Sequence, residues 1–299
     1  MAVAGNDVVS RGRSFARHAR WRLVGASGGF PMDRYPGPVT TAAPPAAPGA
    51  PVPCTPGPGL FISFEGGDGV GKTTQIRILA DLLTAADVAH LLTREPGGTE
   101  LGVEIRRLLL HGGHVAPRAE ALLYAADRAH HIATRVRPAL ERGAVVLADR
   151  YLDSSVAYQG AARSLGPQEV RDLSLWATEG LLPDLTILLD GDPDLAERRT
   201  TGRGAKDRLE QEGDTFRTSL RRQFLTLAQA EPERFVVVGA DRPVDQVADD
   251  VIEAVVTVVR RHGVHLAHGG HQGVLLGLEA FVEAAARRSA AGPDEEARS

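Results

Sequence analysis

The sequence predicts an α/β fold, a five-stranded parallel sheet flanked by helices on both faces. Three observations lead there. Five short apolar runs recur along the chain, longer segments of helical period separate them, and the first run opens directly into a glycine-rich turn. Strands that alternate with helices imply right-handed βαβ crossovers, which pair the strands in parallel and cover both faces of the sheet.

The first run is Leu60-Phe61-Ile62-Ser63-Phe64, followed by the turn and an amphipathic segment from Thr73 to Leu83. The other strand candidates are Ala89–Thr93, Ala144–Ala148, Leu185–Leu189 and Phe235–Val238. Helical periodicity covers Leu101–Leu110, Ala119–Arg142, Gln168–Glu179, Thr215–Ala230 and Val244–His262. These elements make one domain over residues 58–262. Before it, residues 1–57 read as a disordered extension. Six arginines (Arg11, Arg13, Arg17, Arg20, Arg22, Arg34) face only Asp7 and Asp33, and nine of the 19 prolines then crowd between Pro36 and Pro58. Such an Arg-rich, acid-poor start also suits a targeting peptide, or a start site placed ahead of Met32. After the domain, residues 263–299 read as a flexible tail in which Gly273–Arg288 could form one more helix. His265, His268 and His271 lie there among glycines, without the Cys or carboxylate partners of a metal site.

Composition narrows the function. A net charge of −4 gives no reason to expect nucleic acid or a membrane surface as partner, and no run of about 18 apolar residues could span a bilayer. The single cysteine, Cys54, excludes an internal disulfide, which suits a cytoplasmic protein. Lysine occurs only at Lys72 and Lys206, so a lysine kept in this background draws attention.

Gly66-Gly67-Asp68-Gly69-Val70-Gly71-Lys72-Thr73 fits the pattern G-x-x-x-x-G-K-[ST], between an apolar strand and a helix. Glycines let backbone N–H groups converge on phosphate oxygens, and the following helix offers them its positive end. Lys72 reaches the β and γ phosphates, and the Thr73 hydroxyl, with Thr74 beside it, meets Mg²⁺. The fold is thus a P-loop NTPase fold and ATP with Mg²⁺ the expected ligand. A guanine-reading Asn-Lys-x-Asp is absent, since Lys206 follows Ala205. At the carboxyl end of a strand, where open α/β sheets bind ligands, stands Asp149-Arg150. A carboxylate there can approach the metal, and an arginine can clamp a phosphate.

Three stretches recur in order: Phe64 to Thr74, Thr93-Arg94-Glu95-Pro96-Gly97-Gly98-Thr99, and Asp149-Arg150-Tyr151-Leu152-Asp153-Ser154-Ser155-Val156-Ala157-Tyr158-Gln159. With Leu122–Arg128 and Asp207–Glu210 they closely resemble the thymidylate kinase family, over roughly residues 60–260. The resemblance implies ATP and dTMP as substrates, phosphoryl transfer giving dTDP and ADP, and a homodimer. It makes Arg94 and Arg150 the acceptor phosphate clamp, Asp149 the carboxylate near Mg²⁺, and Asp68 the partner of the sugar 3′-hydroxyl. Tyr124 takes the place of an aromatic that stacks on thymine, usually Phe, and keeps the stacking face. Arg128, at i+4 from it, can donate to the thymine O4. Ser155 and Tyr158, with Gln159, would line the base and sugar pocket.

Some thymidylate kinases place a cation just after the residue matching Asp68, where this chain has Gly69. The stretch Arg198 to Arg208 carries five cations and resembles the arginine-bearing lid of the bacterial type, at about 198–213. Its closure would bring Arg203 or Arg199 to the γ-phosphate. Two other readings stand beside this one: a kinase of the same scaffold with another nucleoside or nucleotide acceptor, and a P-loop protein that binds nucleotide as a regulator.

Overall fold

The structure, a computed structural model, describes residues 59–200, 213–269 and 272–291. The N-terminal extension 1–57, the central part of the lid with Arg203 and Lys206, and the end of the tail lie outside the described residues. Five parallel strands, β1 (Leu60–Glu65), β2 (His90–Arg94), β3 (Val145–Asp149), β4 (Leu185–Asp190) and β5 (Phe235–Gly239), form one sheet in the order β2-β3-β1-β4-β5. The three central strands are buried almost end to end, whereas edge strands β2 and β5 alternate with exposed positions. That is why the central runs read as unbroken apolar stretches.

Alternate side chains of each strand serve opposite faces. Leu60, Ile62 and Phe64 of β1 meet Leu79 and Leu83 of α1 (Lys72–Ala85) and Val251 and Val255 of α9 (Val244–Gly269). Phe61, Val146 and Ala148 point the other way, onto Ile132, Val136, Tyr151 and Leu152. A third cluster joins Tyr158 and Leu188 to Leu220 and Phe224 of α8 (Asp214–Ala230). The remaining helices are α2 (Glu100–His111), α3 (Pro117–His131), α4 (Arg137–Glu141), α5 (Leu152–Ser155), α6 (Pro167–Ala177), α7 (Pro193–Thr200) and α10 (Gln272–Ala291).

Two boundaries differ from the sequence reading. The helix expected over Ala119–Arg142 is interrupted by a π-helical turn, Ile132–Val136, ahead of Pro138. Proline has no N–H to continue the α-ladder, and a wider turn absorbs the mismatch. The domain also does not end at residue 262. Helix α9 continues to Gly269, so the part of the tail with His265 and His268 is helical, and the helix expected over Gly273–Arg288 is present as α10 and packs on the domain. Leu278, Phe281 and Ala285 of α10 are buried in the same core cluster as α1 and α9, and Arg288 pairs with Asp245 and Asp249.

Candidate active site

The carboxyl ends of β1, β2 and β3 bring the sequence-predicted residues together. Register places Phe64 and Arg94 on either side of Asp149. The glycine-rich loop leaves β1 at Gly66, whose φ of +131° is closed to an L side chain and whose Cβ would come within 2.4 Å of the Leu189 carbonyl oxygen. Only glycine lets the loop turn this tightly over β4. Val70 anchors the loop in the core, and Gly67, Asp68 and Gly69 form its crest. Gly71 precedes α1, and its carbonyl accepts from Thr74 N at 3.0 Å and Gln75 N at 3.1 Å.

Lys72 is buried beneath the loop, its Nζ donating to the carbonyls of Gly66 (3.1 Å) and Gly67 (2.7 Å). Burial lowers its pKa and the neighbouring Arg150 lowers it further, against Asp68, Asp149 and Glu65. Thr73 donates its hydroxyl to Asp149 Oδ2 at 3.1 Å. No group of three or more His, Cys, Asp or Glu is poised for a metal among the described residues. A hydroxyl and one carboxylate side by side at a phosphate loop nevertheless fit Mg²⁺, which takes most of its oxygens from phosphates and water.

Arg150 is a hub of hydrogen bonds beside the loop. It adopts a left-handed backbone (φ +70°) and its N–H bonds to the Phe64 carbonyl at 3.0 Å. Its guanidinium donates to Gly66 O (3.0 Å), Ser154 Oγ (3.0 Å), Asp68 Oδ1 and Tyr158 Oη (3.3 Å). Tyr158 in turn donates to Asp68 Oδ2 at 3.1 Å. Burial alone would raise the Asp68 carboxyl, yet Arg150 and Lys72 hold it down at about 2, so it stays ionised. Arg94 is exposed at the end of β2, and no hydrogen bond or ion pair holds its side chain among the described residues.

A pocket of about 530 Å³ opens beside this hub, lined among others by Asp68, Arg106, Tyr124, Arg128, Arg150 and Ser155. Tyr158 and Gln159 line it too. Gln159 is buried, with Nε2 donating to Glu120 Oε1 at 2.8 Å. Ser155 Oγ accepts from Arg128 Nη2 at 3.0 Å. Tyr124, almost wholly buried beside Ile105, Leu109 and Leu110, forms one wall. A second space of about 750 Å³ shares Asp68 and Tyr158 and runs past Leu188–Gly191 between α7 and α8. Arg199, on the last turn of α7, donates to Ala240 O at 3.4 Å and lies 3.8 Å from Asp241.

Sequence reasoning missed two residues here. Glu65, fully buried at the end of β1, accepts from Tyr151 N (2.8 Å), Ser154 N (3.2 Å) and Ser154 Oγ, and so ties the Arg150 segment to the strand before the loop. Burial, reinforced by Asp153, pushes its carboxyl up to about 7, against the opposing pull of Arg150. Its signal was an acid closing an otherwise apolar run. Arg106 of α2 lines the pocket and donates to Pro96 O at 3.1 Å, but at the level of sequence it is one arginine among many on an amphipathic helix.

Residues 64–251 match the family model for thymidylate kinase. The chain belongs to the thymidylate kinase family. A thymidylate kinase of Leifsonia xyli subsp. xyli is 63% identical over 196 residues, which cover 65% of this chain and 93% of that one. One from Bifidobacterium longum subsp. infantis is 54% identical over 207 residues (68% and 88%), and one from Deinococcus radiodurans 50% over 198 residues (66% and 96%). The matched family segment ends within α9, so α10 lies beyond it. Among the described residues no helix is long and apolar enough to cross a membrane.

Proposed function

We propose that this thymidylate kinase family member transfers the γ-phosphoryl group of ATP directly to dTMP, giving dTDP and ADP. The observation that carries this reading is the convergence on Arg150 of both halves of the site. One guanidinium touches the phosphate loop at Gly66 and Asp68 while lining the pocket walled by Tyr124 and Arg128. A protein that only senses nucleotide has no need of that second half.

The loop N–H groups and Lys72 hold the β and γ phosphates, and Thr73 and Asp149 would hold Mg²⁺, which neutralises phosphate charge. Arg94 and Arg150 clamp the acceptor phosphate so that one of its oxygens lies in line with the γ-phosphorus. As that oxygen bonds to phosphorus, the bond to the β-phosphate oxygen breaks and ADP leaves. Asp68, ionised and anchored by Tyr158, orients the sugar 3′-hydroxyl. Tyr124 stacks on the base and Arg128 donates to its O4, with Ser155, Tyr158 and Gln159 completing the pocket. Arg203 or Arg199, brought in by the lid, supplies the positive charge that Gly69 does not. Catalysis here is electrostatic positioning without a covalent intermediate.

We place this activity in the cytoplasm, as a homodimer. Apolar residues stand exposed on three helices that pack in series, Leu101 and Leu108 on α2, Leu122 on α3 and Trp176 on α6, which supports such an interface. The test of the activity is ADP release from Mg-ATP with dTMP, dUMP, dCMP, AMP and thymidine offered separately. A strong preference for dTMP is expected. Preference for another acceptor would overturn the base pocket, and ATP use indifferent to all five would overturn the kinase reading.

A further inference from the structure

Arg128 is 1% exposed, and nearly all its hydrogen-bonding capacity is committed inside the protein. Its Nε donates to Glu95 Oε2 at 2.7 Å, its Nη1 to Ser174 Oγ at 3.0 Å, and its Nη2 to Tyr151 O at 3.3 Å and Ser155 Oγ at 3.0 Å. A guanidinium carries five N–H groups, so a single Nη1–H is left over among the described residues, on a side chain that lines the pocket.

Glu95, itself on the pocket wall, links Arg128 to a second layer behind it. The other oxygen of Glu95 lies 2.9 Å from His131 Nδ1, and His131 Nε2 lies 2.6 Å from Thr93 Oγ1. A carboxylate can only accept, so Nδ1 carries the hydrogen and donates it to Glu95, which fixes the orientation of the ring. The chain of contacts runs from strand β2 through α3 to the guanidinium. Its packing leaves no slack, since a Cβ on Gly98 would sit 2.7 Å from both His131 Nε2 and Thr93 Oγ1. His131 is fully buried and takes no part in lining the pocket.

We propose that Glu95 and His131 are positioning residues that lock the Arg128 guanidinium and thereby set the preference for a keto over an amino group at the 4-position of the pyrimidine. This rests on the reading of Arg128 as the base-recognising group. Arginine can donate but never accept, so a locked N–H welcomes the O4 of thymine and meets the N4 amino group of cytosine donor to donor. A guanidinium free to swing aside would tolerate the amino group better, and discrimination would fall. The glutamate of Arg94-Glu95-Pro96-Gly97-Gly98 thus acts on selectivity, through Arg128, rather than on phosphate.

The test uses the full chain with four substitutions, Arg128→Lys, His131→Leu, His131→Asn and Thr93→Val. Calorimetric Kd values for dTMP and dCMP would be measured with kcat and KM for dTMP and for ATP. His131→Leu is expected to lower the dTMP-over-dCMP preference about tenfold, in line with loss of one well-oriented hydrogen bond. The change should lie in Kd and KM for dTMP, with KM for ATP unmoved. His131→Asn, which keeps a donor for Glu95, should recover most of the preference. Thr93→Val should give a smaller loss in the same direction, and it decides the matter if His131→Leu does not fold. Equal weakening of both nucleotides, or a preference unchanged in His131→Leu and in Thr93→Val, overturns the proposal while Arg128→Lys still relaxes selectivity. If Arg128→Lys leaves the preference intact, the reading of Arg128 itself fails. A wild-type chain that neither binds nor phosphorylates dTMP refutes the activity.

Discussion

Replacing Glu65 by Gln should remove a pH dependence of stability that the fold builds in at its centre. The Glu65 carboxyl is held up at about 7 in the folded chain by burial and by Asp153, against an ordinary value of 4.5. Below pH 4.5 it is protonated whether the chain is folded or not. Between 4.5 and 7 the unfolded chain gives up the proton while the folded chain keeps it, so stability falls as pH rises through that window, and the loss is complete above it. The size of the effect is on the order of 3 kcal/mol. Glutamine is nearly isosteric and preserves the contacts, with Oε1 accepting from Tyr151 N and Ser154 N and Nε2 donating to Ser154 Oγ. Denaturant unfolding of both proteins at pH 5 and pH 8 isolates this group from others that titrate in the range, Asp127 among them, raised to about 6 by burial and by Glu95. The wild type should lose roughly 2–3 kcal/mol relative to Glu65→Gln between the two pH values, or about 5–10 °C in Tm. Parallel pH profiles for the two proteins would refute the argument.

Phe281→Ala empties a fully buried site where α10 meets α1 and α9, and should cost about 3–5 kcal/mol in unfolding free energy while the folded enzyme keeps its kcat at low temperature; an unchanged midpoint would contradict the packing of α10. Lys72→Ala removes from the fold two hydrogen bonds to the Gly66 and Gly67 carbonyls, so circular dichroism should be unchanged while kcat drops at least about 10²–10³-fold; near-normal kcat would contradict the phosphate-loop assignment. Trp176→Asp, at a side chain 80% exposed on α6, should shift the protein from dimer to monomer in sedimentation velocity at micromolar concentration, and a dimer that survives would place the interface elsewhere.

Most of the sheet was legible because its central strands are buried on both faces and need no partner to announce themselves. Helices α5 and the following π-helical segment, Val156–Ala162, were not. They bury Asp153, Ser154, Ser155 and Gln159, polar residues that the hydrophobic period does not register but that are satisfied by partners far away. Asp153, for example, is bidentate with Arg234 at 2.7 and 2.9 Å, 81 residues distant. In the tail the helix itself was legible over Gly273–Arg288, but its docking was not, because nothing local shows that Leu278, Phe281 and Ala285 join the core of α1 and α9. At the site, the glycine loop stood out by its pattern and Asp149-Arg150 by its place at a strand end, whereas Tyr158 was named only through the family resemblance. Glu65 was not legible, and the stretch that contains Glu95 gave it no role, because their work is to hold other groups: Glu65 bonds to residues 86 and 89 positions away, and Glu95 to Arg128 and His131.

The central claim is transfer of the γ-phosphoryl group of ATP to dTMP. ATP labelled in its γ-phosphate, incubated with dTMP, Mg²⁺ and the full chain, should place the label in the β-phosphate of dTDP, one for every ADP formed, with none in orthophosphate. Label appearing in orthophosphate, or ADP formed without labelled dTDP, would contradict it.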